Sequence, residues 1–229
     1  MDREHDRIPL SVEVRFRTTS SFLFAYSVNL SKGGMFLETA NLAPVGSDIT
    51  LVFQVADRGT FEVRGTVTWH RTKEDTVGMP PGMGVEFGEV DATLGEFIDQ
   101  IVTSFQGLTI LLYCPDPQAR RTLGRMIRSI VATAEVVEAG GTSTAEALLG
   151  PDIDLVIADA DAPDRAGLSV LSAANAADRK IPSLVLTNDT MRRAESLELG
   201  AVDVCENPPA FADFQEILLH TLGRPSTVS

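Results

Sequence analysis

The sequence predicts two domains, an all-β small barrel with a closing helix followed by an α/β doubly wound sheet of five parallel strands. Two textures lead to this reading. Residues 8–88 alternate apolar and polar side chains in short runs broken by glycine and proline, the mark of short strands and tight turns. From Thr109 onward, short apolar runs alternate with segments of helical spacing, which implies a parallel sheet covered on both faces. Length agrees, because 229 residues can form two ordinary domains, each with an adequate core.

In the first half, Val12, Val14 and Phe16 predict one strand, Phe22, Phe24, Tyr26 and Val28 a second, and Met35 to Leu37 a third. Gly33, Gly34, Gly46, Gly59, Gly65, Pro44, Pro80 and Pro81 supply turns. A barrel suits many short strands better than a sandwich, although periodicity alone does not separate the two. Asp91 to Phe105 places Leu94, Phe97, Ile98, Ile101, Val102 and Phe105 at helical spacing and closes a domain over 1–105. Gln106 and Gly107 form the junction.

In the second half, strands are expected at Thr109–Tyr113, Glu135–Glu138, Leu155–Ala158, Ser183–Thr187 and Asp203–Cys205. Helices are expected at Ala119–Ile130, Thr142–Leu149, Leu168–Ala177, Met191–Leu199 and Phe211–Leu222, giving a domain over 108–224. Residues 225–229 read as a flexible polar tail expected to fray.

Composition narrows the function. A net charge of -13 argues against a non-specific nucleic-acid binder, which gains affinity from a basic face, so an anionic ligand needs a local cationic pocket. No apolar run approaches the ~20 residues of a membrane-spanning helix, and Met1 to Leu10 lacks a signal-peptide core, so a cytoplasmic protein without membrane association is expected. Cys114 and Cys205 then read as free thiols, with no metal site implied. His5, His70 and His220 form no triad or metal cluster, and no catalytic residue is expected. Trp69 reads as a core or rim aromatic and His70 as a surface residue on the opposite side of its strand.

Two segments of the first half carry chemistry. Arg3-Glu4-His5-Asp6-Arg7 spaces two arginines four apart, and Asn29-Leu30-Ser31-Lys32-Gly33-Gly34 runs into a glycine turn. Taken singly, the first reads equally as a tail with its arginines paired to Asp2, Glu4 or Asp6, and the second as a polar strand end. Together, in this order and ahead of β-structure, they resemble the PilZ family, in which Arg-x-x-x-Arg and Asp/Asn-x-Ser-x-x-Gly jointly hold cyclic di-GMP. Gly65-Thr66-Val67-Thr68-Trp69 and Gly82-Met83-Gly84-Val85-Glu86-Phe87 look like later strands of that family. The resemblance implies ligand contacts from Arg3, Arg7, Asn29, Ser31 and Gly34. Guanidinium groups suit this ligand because their planar forks grip phosphate oxygens and their faces stack on guanine. Asn29 and Ser31, two apart on an expected strand, would point the same way.

The second half resembles the response-regulator receiver domain over residues 108 to about 223. Asp159 ends the segment resembling the phosphoacceptor strand, Thr187 takes the hydroxyl position, and Pro163, Gly167, Gly200 and Pro208 fall where that family has loop residues. The metal-holding acids are replaced by Cys114 and Pro115, with Asp116 one place late, the lysine position is Asn207, and the switch aromatic is Val204. A degenerate receiver, or pseudo-receiver, used for recognition is therefore expected, and pairing as a homodimer is implied by analogy. The resulting expectation is a non-enzymatic signalling adaptor with no cofactor, binding cyclic di-GMP and relaying it to a signalling or motility-type protein. A ligand-free scaffold and a phosphorylation-controlled regulator are the alternatives.

Overall fold

The computed structural model describes residues 10–16, 18–30, 33–55, 59–72, 81–88, 107–223 and 227–228. The chain divides into two compact units, one formed by 1–104 with 225–229 and the other by 105–224. The helix expected over Asp91–Phe105 lies outside the described residues.

The first unit is a six-stranded mixed sheet: β1 (Leu10–Phe16), β2 (Gly34–Glu38), β3 (Asp48–Val55), β4 (Gly59–Arg71), β5 (Gly82–Phe87) and β11 (Thr227–Val228), with one helix, α1 (Thr19–Leu30). Strand order is β11-β1-β3-β4-β5-β2, so β11 and β2 are its edges among the described residues, in a curled sheet consistent with a PilZ-type barrel. Alternation sets the inner face: Val12, Val14, Phe16, Ile49, Leu51, Phe53 and Val55 are all buried. A bulge between Val67 and Trp69 shifts the β4–β5 register and re-aims the residues beyond it.

Two expectations change here. The strand expected over Phe22–Val28 is helical. Thr18 Oγ1 accepts the Ser21 N–H at 2.9 Å while Ser21 Oγ accepts the Thr18 N–H at 3.1 Å, a reciprocal cap that starts a helix. Phe22 then packs edge-on against Phe16 at 5.2 Å between ring centroids and meets Phe53 and Phe61 at 6.0 and 5.7 Å. Apolar residues fill Phe22 to Tyr26 almost continuously, so alternation there was no guide to period. The tail expected to fray instead contributes β11, with Val228 opposite Val14 and Thr227 opposite Arg15 on the edge of β1.

The second unit contains β6 (Leu108–Tyr113), α2 (Pro117–Ile130), β7 (Ala134–Ala139), α3 (Thr142–Leu148), β8 (Leu155–Asp159), α4 (Ala166–Ala176), β9 (Ser183–Leu186), α5 (Thr190–Glu198), β10 (Asp203–Cys205) and α6 (Phe211–Gly223). All five strands are parallel, in the order β10-β9-β8-β6-β7. Starting beside the first strand, reversing once and running outward is the doubly wound order with its switch point between β6 and β8. The expected five-stranded fold is found, each boundary within about two residues. β8 is buried throughout, as a central parallel strand covered on both faces must be. Helix α2 starts at Pro117 because Asp116 Oδ1 accepts the N–H groups of Gln118 and Ala119 at 3.0 and 2.6 Å.

Candidate functional site

In the first unit the structure places one of the five sequence-derived contacts in full. Gly34 opens β2 opposite Glu86, and a Cβ there would lie 2.2 Å from the Val85 carbonyl oxygen, so close backbone approach excludes any side chain. The preceding Gly33 takes the left-handed conformation, φ +71°, that the turn into β2 requires. Asn29 sits in the last turn of α1 rather than on a strand, so the strand argument that aimed it with Ser31 does not hold. Arg3, Arg7 and Ser31 lie outside the described residues.

Trp69 is 45% exposed and stacks on Phe36 at 5.2 Å and 15° between planes, a rim position. The Arg71 guanidinium lies 4.2 Å from the Phe36 centroid. His70, expected at the surface, is half-buried with Nε2 2.5 Å from the Ala43 carbonyl oxygen.

The second unit supplies a complete polar crevice at the carboxyl ends of its strands, where doubly wound folds leave polar room. Asp159, ending β8, is 8% exposed. Its Oδ1 accepts the Asp161 N–H at 3.0 Å and the Asn207 side-chain amide at 2.9 Å, and its Oδ2 faces Cys114 Sγ at 3.5 Å. Burial raises the Asp159 carboxyl above its ordinary range, although the Asp161 amide opposes this. Burial, reinforced by the Asp159 charge, pushes the Cys114 thiol up to about 11, so it stays protonated.

Thr187 is buried, and its hydroxyl donates not to Asp159 but to Asp161 Oδ1 at 2.6 Å. Asp161 Oδ2 accepts the Asn188 N–H at 3.2 Å and the second contact of the Asn207 amide at 3.3 Å. Arg192 approaches Asp161 at 3.6 Å while donating to the Ala160 carbonyl at 2.6 Å. Asn207 therefore bridges two carboxylates, and Asp161 links Asp159 to Thr187, the two positions that the sequence reading singled out. That reading overlooked Asp161, although Asp159-Ala160-Asp161 places two carboxylates at a strand end, a visible signal.

A receiver-type crevice implies a divalent cation, and the donors present do not fit one. A hard cation requires several oxygen ligands. Cys114 offers a protonated thiol, Asp116 Oδ1 is engaged in capping α2, and both oxygens of Asp159 and of Asp161 already have protein partners.

Among solved structures, the second half is similar to the signal receiver domain of a DNA-binding response regulator from Colwellia psychrerythraea, at 16% identity, covering 51% of this chain and 99% of that chain with a TM-score of 0.47. It is also similar to the receiver domain of a sensor histidine kinase from Pseudomonas aeruginosa, solved with magnesium in its active-site cleft, at 25% identity over 51% of this chain and 98% of that one, TM-score 0.45. The non-phosphorylated HemR receiver domain from Leptospira biflexa matches at 26% identity over 50% and 94% of the two chains, TM-score 0.45. No curated protein matches the chain. Residues 1–104 match the PilZ domain model, and the solved structures similar to the other half, a doubly wound five-stranded sheet, are response-regulator receiver domains.

Proposed function

We propose that the chain is a non-enzymatic signalling adaptor of the bacterial cytoplasm that binds cyclic di-GMP through its PilZ domain and relays occupancy to a protein partner. The observation that carries this reading is the PilZ match over 1–104 together with both sequence motifs, Arg3 with Arg7 and Asn29-x-Ser31-x-x-Gly34, inside it. The arginines provide the local cationic grip that a chain of net charge -13 needs for an anionic ligand. In this reading the second unit is a pseudo-receiver that takes no phosphoryl group. Asn207 neither neutralises phosphoryl charge nor leaves Asp159 free, and Thr187 is engaged by Asp161. Its surface then serves protein recognition.

Calorimetric titration with cyclic di-GMP tests the reading, beside Arg7→Ala and Ser31→Ala variants checked for folding. Saturable binding that weakens about tenfold or more in each variant is expected, since a charge-assisted hydrogen bond contributes ~1.5–3 kcal/mol. Absence of binding by calorimetry and by equilibrium dialysis would refute it. The second reading is a ligand-free scaffold. It is favoured by α1, which takes Asn29 off the strand that would have aimed it at a ligand.

A further inference from the structure

The helices that pack on the two edge strands of the second unit differ in charge. Helix α2 carries Arg120, Arg121, Arg125 and Arg128 and no acidic residue. Arg120 and Arg128 converge on Glu138, at 3.7 and 3.3 Å. Among the described residues, Arg121 is exposed without an ionic partner and the exposed Arg125 reaches only the Thr122 hydroxyl, at 3.4 Å. Cations at the start of a helix oppose its dipole, so helix stability does not account for Arg121.

The far edge has the opposite character. Glu206, Asp213 and Glu216 are exposed and form no ion pair among the described residues, and Phe211 stands 47% exposed in the same first turn as Asp213. Arg193 is occupied with the Val204 carbonyl at 3.1 Å, and His220 of α6 with Asp203 at 2.9 Å. Helix α2 packs on β7 and α6 on β10, and these strands are the two opposite edges of the sheet.

We propose that the second unit associates head to tail with a second copy of this chain, the α2 face of one molecule seated on the β10–α6 edge of the next. The two surfaces differ and sit at opposite edges, so the contact is heterologous and extends into a row rather than closing as a symmetric dimer. A second copy is the occupant because the chain itself presents both complementary surfaces, each unsatisfied. Each copy is strongly anionic, which opposes association at low ionic strength. At about 0.15 M salt the Debye length of ~8 Å screens that long-range repulsion while contacts within ~4 Å survive. Exposed ion pairs are individually weak, so the row forms at high local concentration and dissolves in high salt. Rows of this kind would present several PilZ domains together.

Sedimentation velocity of the full chain tests this over a concentration series at about 0.15 M and about 0.6 M salt. The expected result is a sedimentation coefficient that rises with concentration at the lower salt and stays at the single-chain value at the higher. R121E/R125E and D213K/E216K, each with a wild-type circular dichroism spectrum, should raise the concentration for half-association at least about tenfold. R121Q and E216Q serve as milder versions if a double reversal disturbs folding. An equimolar mixture of the two reversed proteins should associate again, since each regains an opposite partner. A concentration-independent coefficient at the lower salt overturns the proposal, as does association that survives either reversal or a mixture that fails to reassociate.

Discussion

Removing the Asp161 carboxylate should destabilise the second unit through one group above all, the Thr187 hydroxyl. In Asp161→Ala, the Asn188 N–H turns to solvent, the Asn207 amide keeps Asp159 Oδ1 at 2.9 Å, and Arg192 keeps the Ala160 carbonyl at 2.6 Å. The Arg192–Asp161 pair, about one-third exposed on both sides, contributes at most ~1 kcal/mol. Thr187 is 1% exposed and loses its carboxylate acceptor at 2.6 Å, which costs ~1.5–3 kcal/mol. The sum is about 1.5–4 kcal/mol, dominated by Thr187. Asp161→Asn, which keeps an acceptor for that hydroxyl and removes the repulsion with Asp159, should cost under about 1 kcal/mol. Thr187→Val, which in either background also removes the acceptor of the Asp189 N–H at 3.1 Å, should then cost less with Asp161→Ala present than alone, giving a coupling of about 1–2 kcal/mol in a double-mutant cycle. Urea unfolding followed by far-ultraviolet circular dichroism measures this, because most described helices belong to the second unit. Trp69, the only tryptophan, reports the first unit separately by fluorescence. Additive effects of the two substitutions, or equal losses in Asp161→Ala and Asp161→Asn, would refute the assignment of the hydroxyl to Asp161.

Two further outcomes follow from the same crevice. Asp159 has a folded-state pKa raised by burial above its ordinary 3.8, so the folded state holds its proton more tightly and stability falls as pH rises from 3.8 through the raised value. Asp159→Asn keeps the Oδ1 acceptor for Asp161 and Asn207 and should therefore be more stable than wild type at neutral pH. That advantage should vanish at acid pH below the ordinary carboxylate range, and a thermal-melt series across pH that shows a constant difference would contradict it. Cys114, buried and held protonated by a pKa of about 11, should resist iodoacetamide near pH 8 in the native protein and react on unfolding, as followed by mass spectrometry of its peptide. Native alkylation of Cys114 at the rate of a free thiol would contradict the buried, acid-facing placement.

The second unit was legible almost residue by residue, because parallel strands buried on both faces must be continuous apolar runs and their connecting helices must carry a stripe at helical spacing. Leu108–Tyr113, Leu155–Asp159 and Phe211–Gly223 announce themselves in that way, and the order of the elements leaves few right-handed topologies. The sequence by itself also determined the PilZ assignment, since two short motifs in a fixed order survive whatever the intervening backbone does. Tertiary structure alone decided the rest. Phe22 to Val28 satisfies a strand pattern and a helix pattern alike, and an aromatic cluster with Phe16, Phe53 and Phe61, distant in sequence, accompanies the helix. Thr227 and Val228 pair with β1 because an edge strand leaves backbone groups to be met, and no local signal records which edge a chain end will reach. The partner of Thr187 is the clearest case. Asp159 and Asp161 are both acidic residues beside one loop, and only the folding of β8, β9 and the Asn207 loop into one crevice gives the hydroxyl to Asp161 and the bridging amide to both.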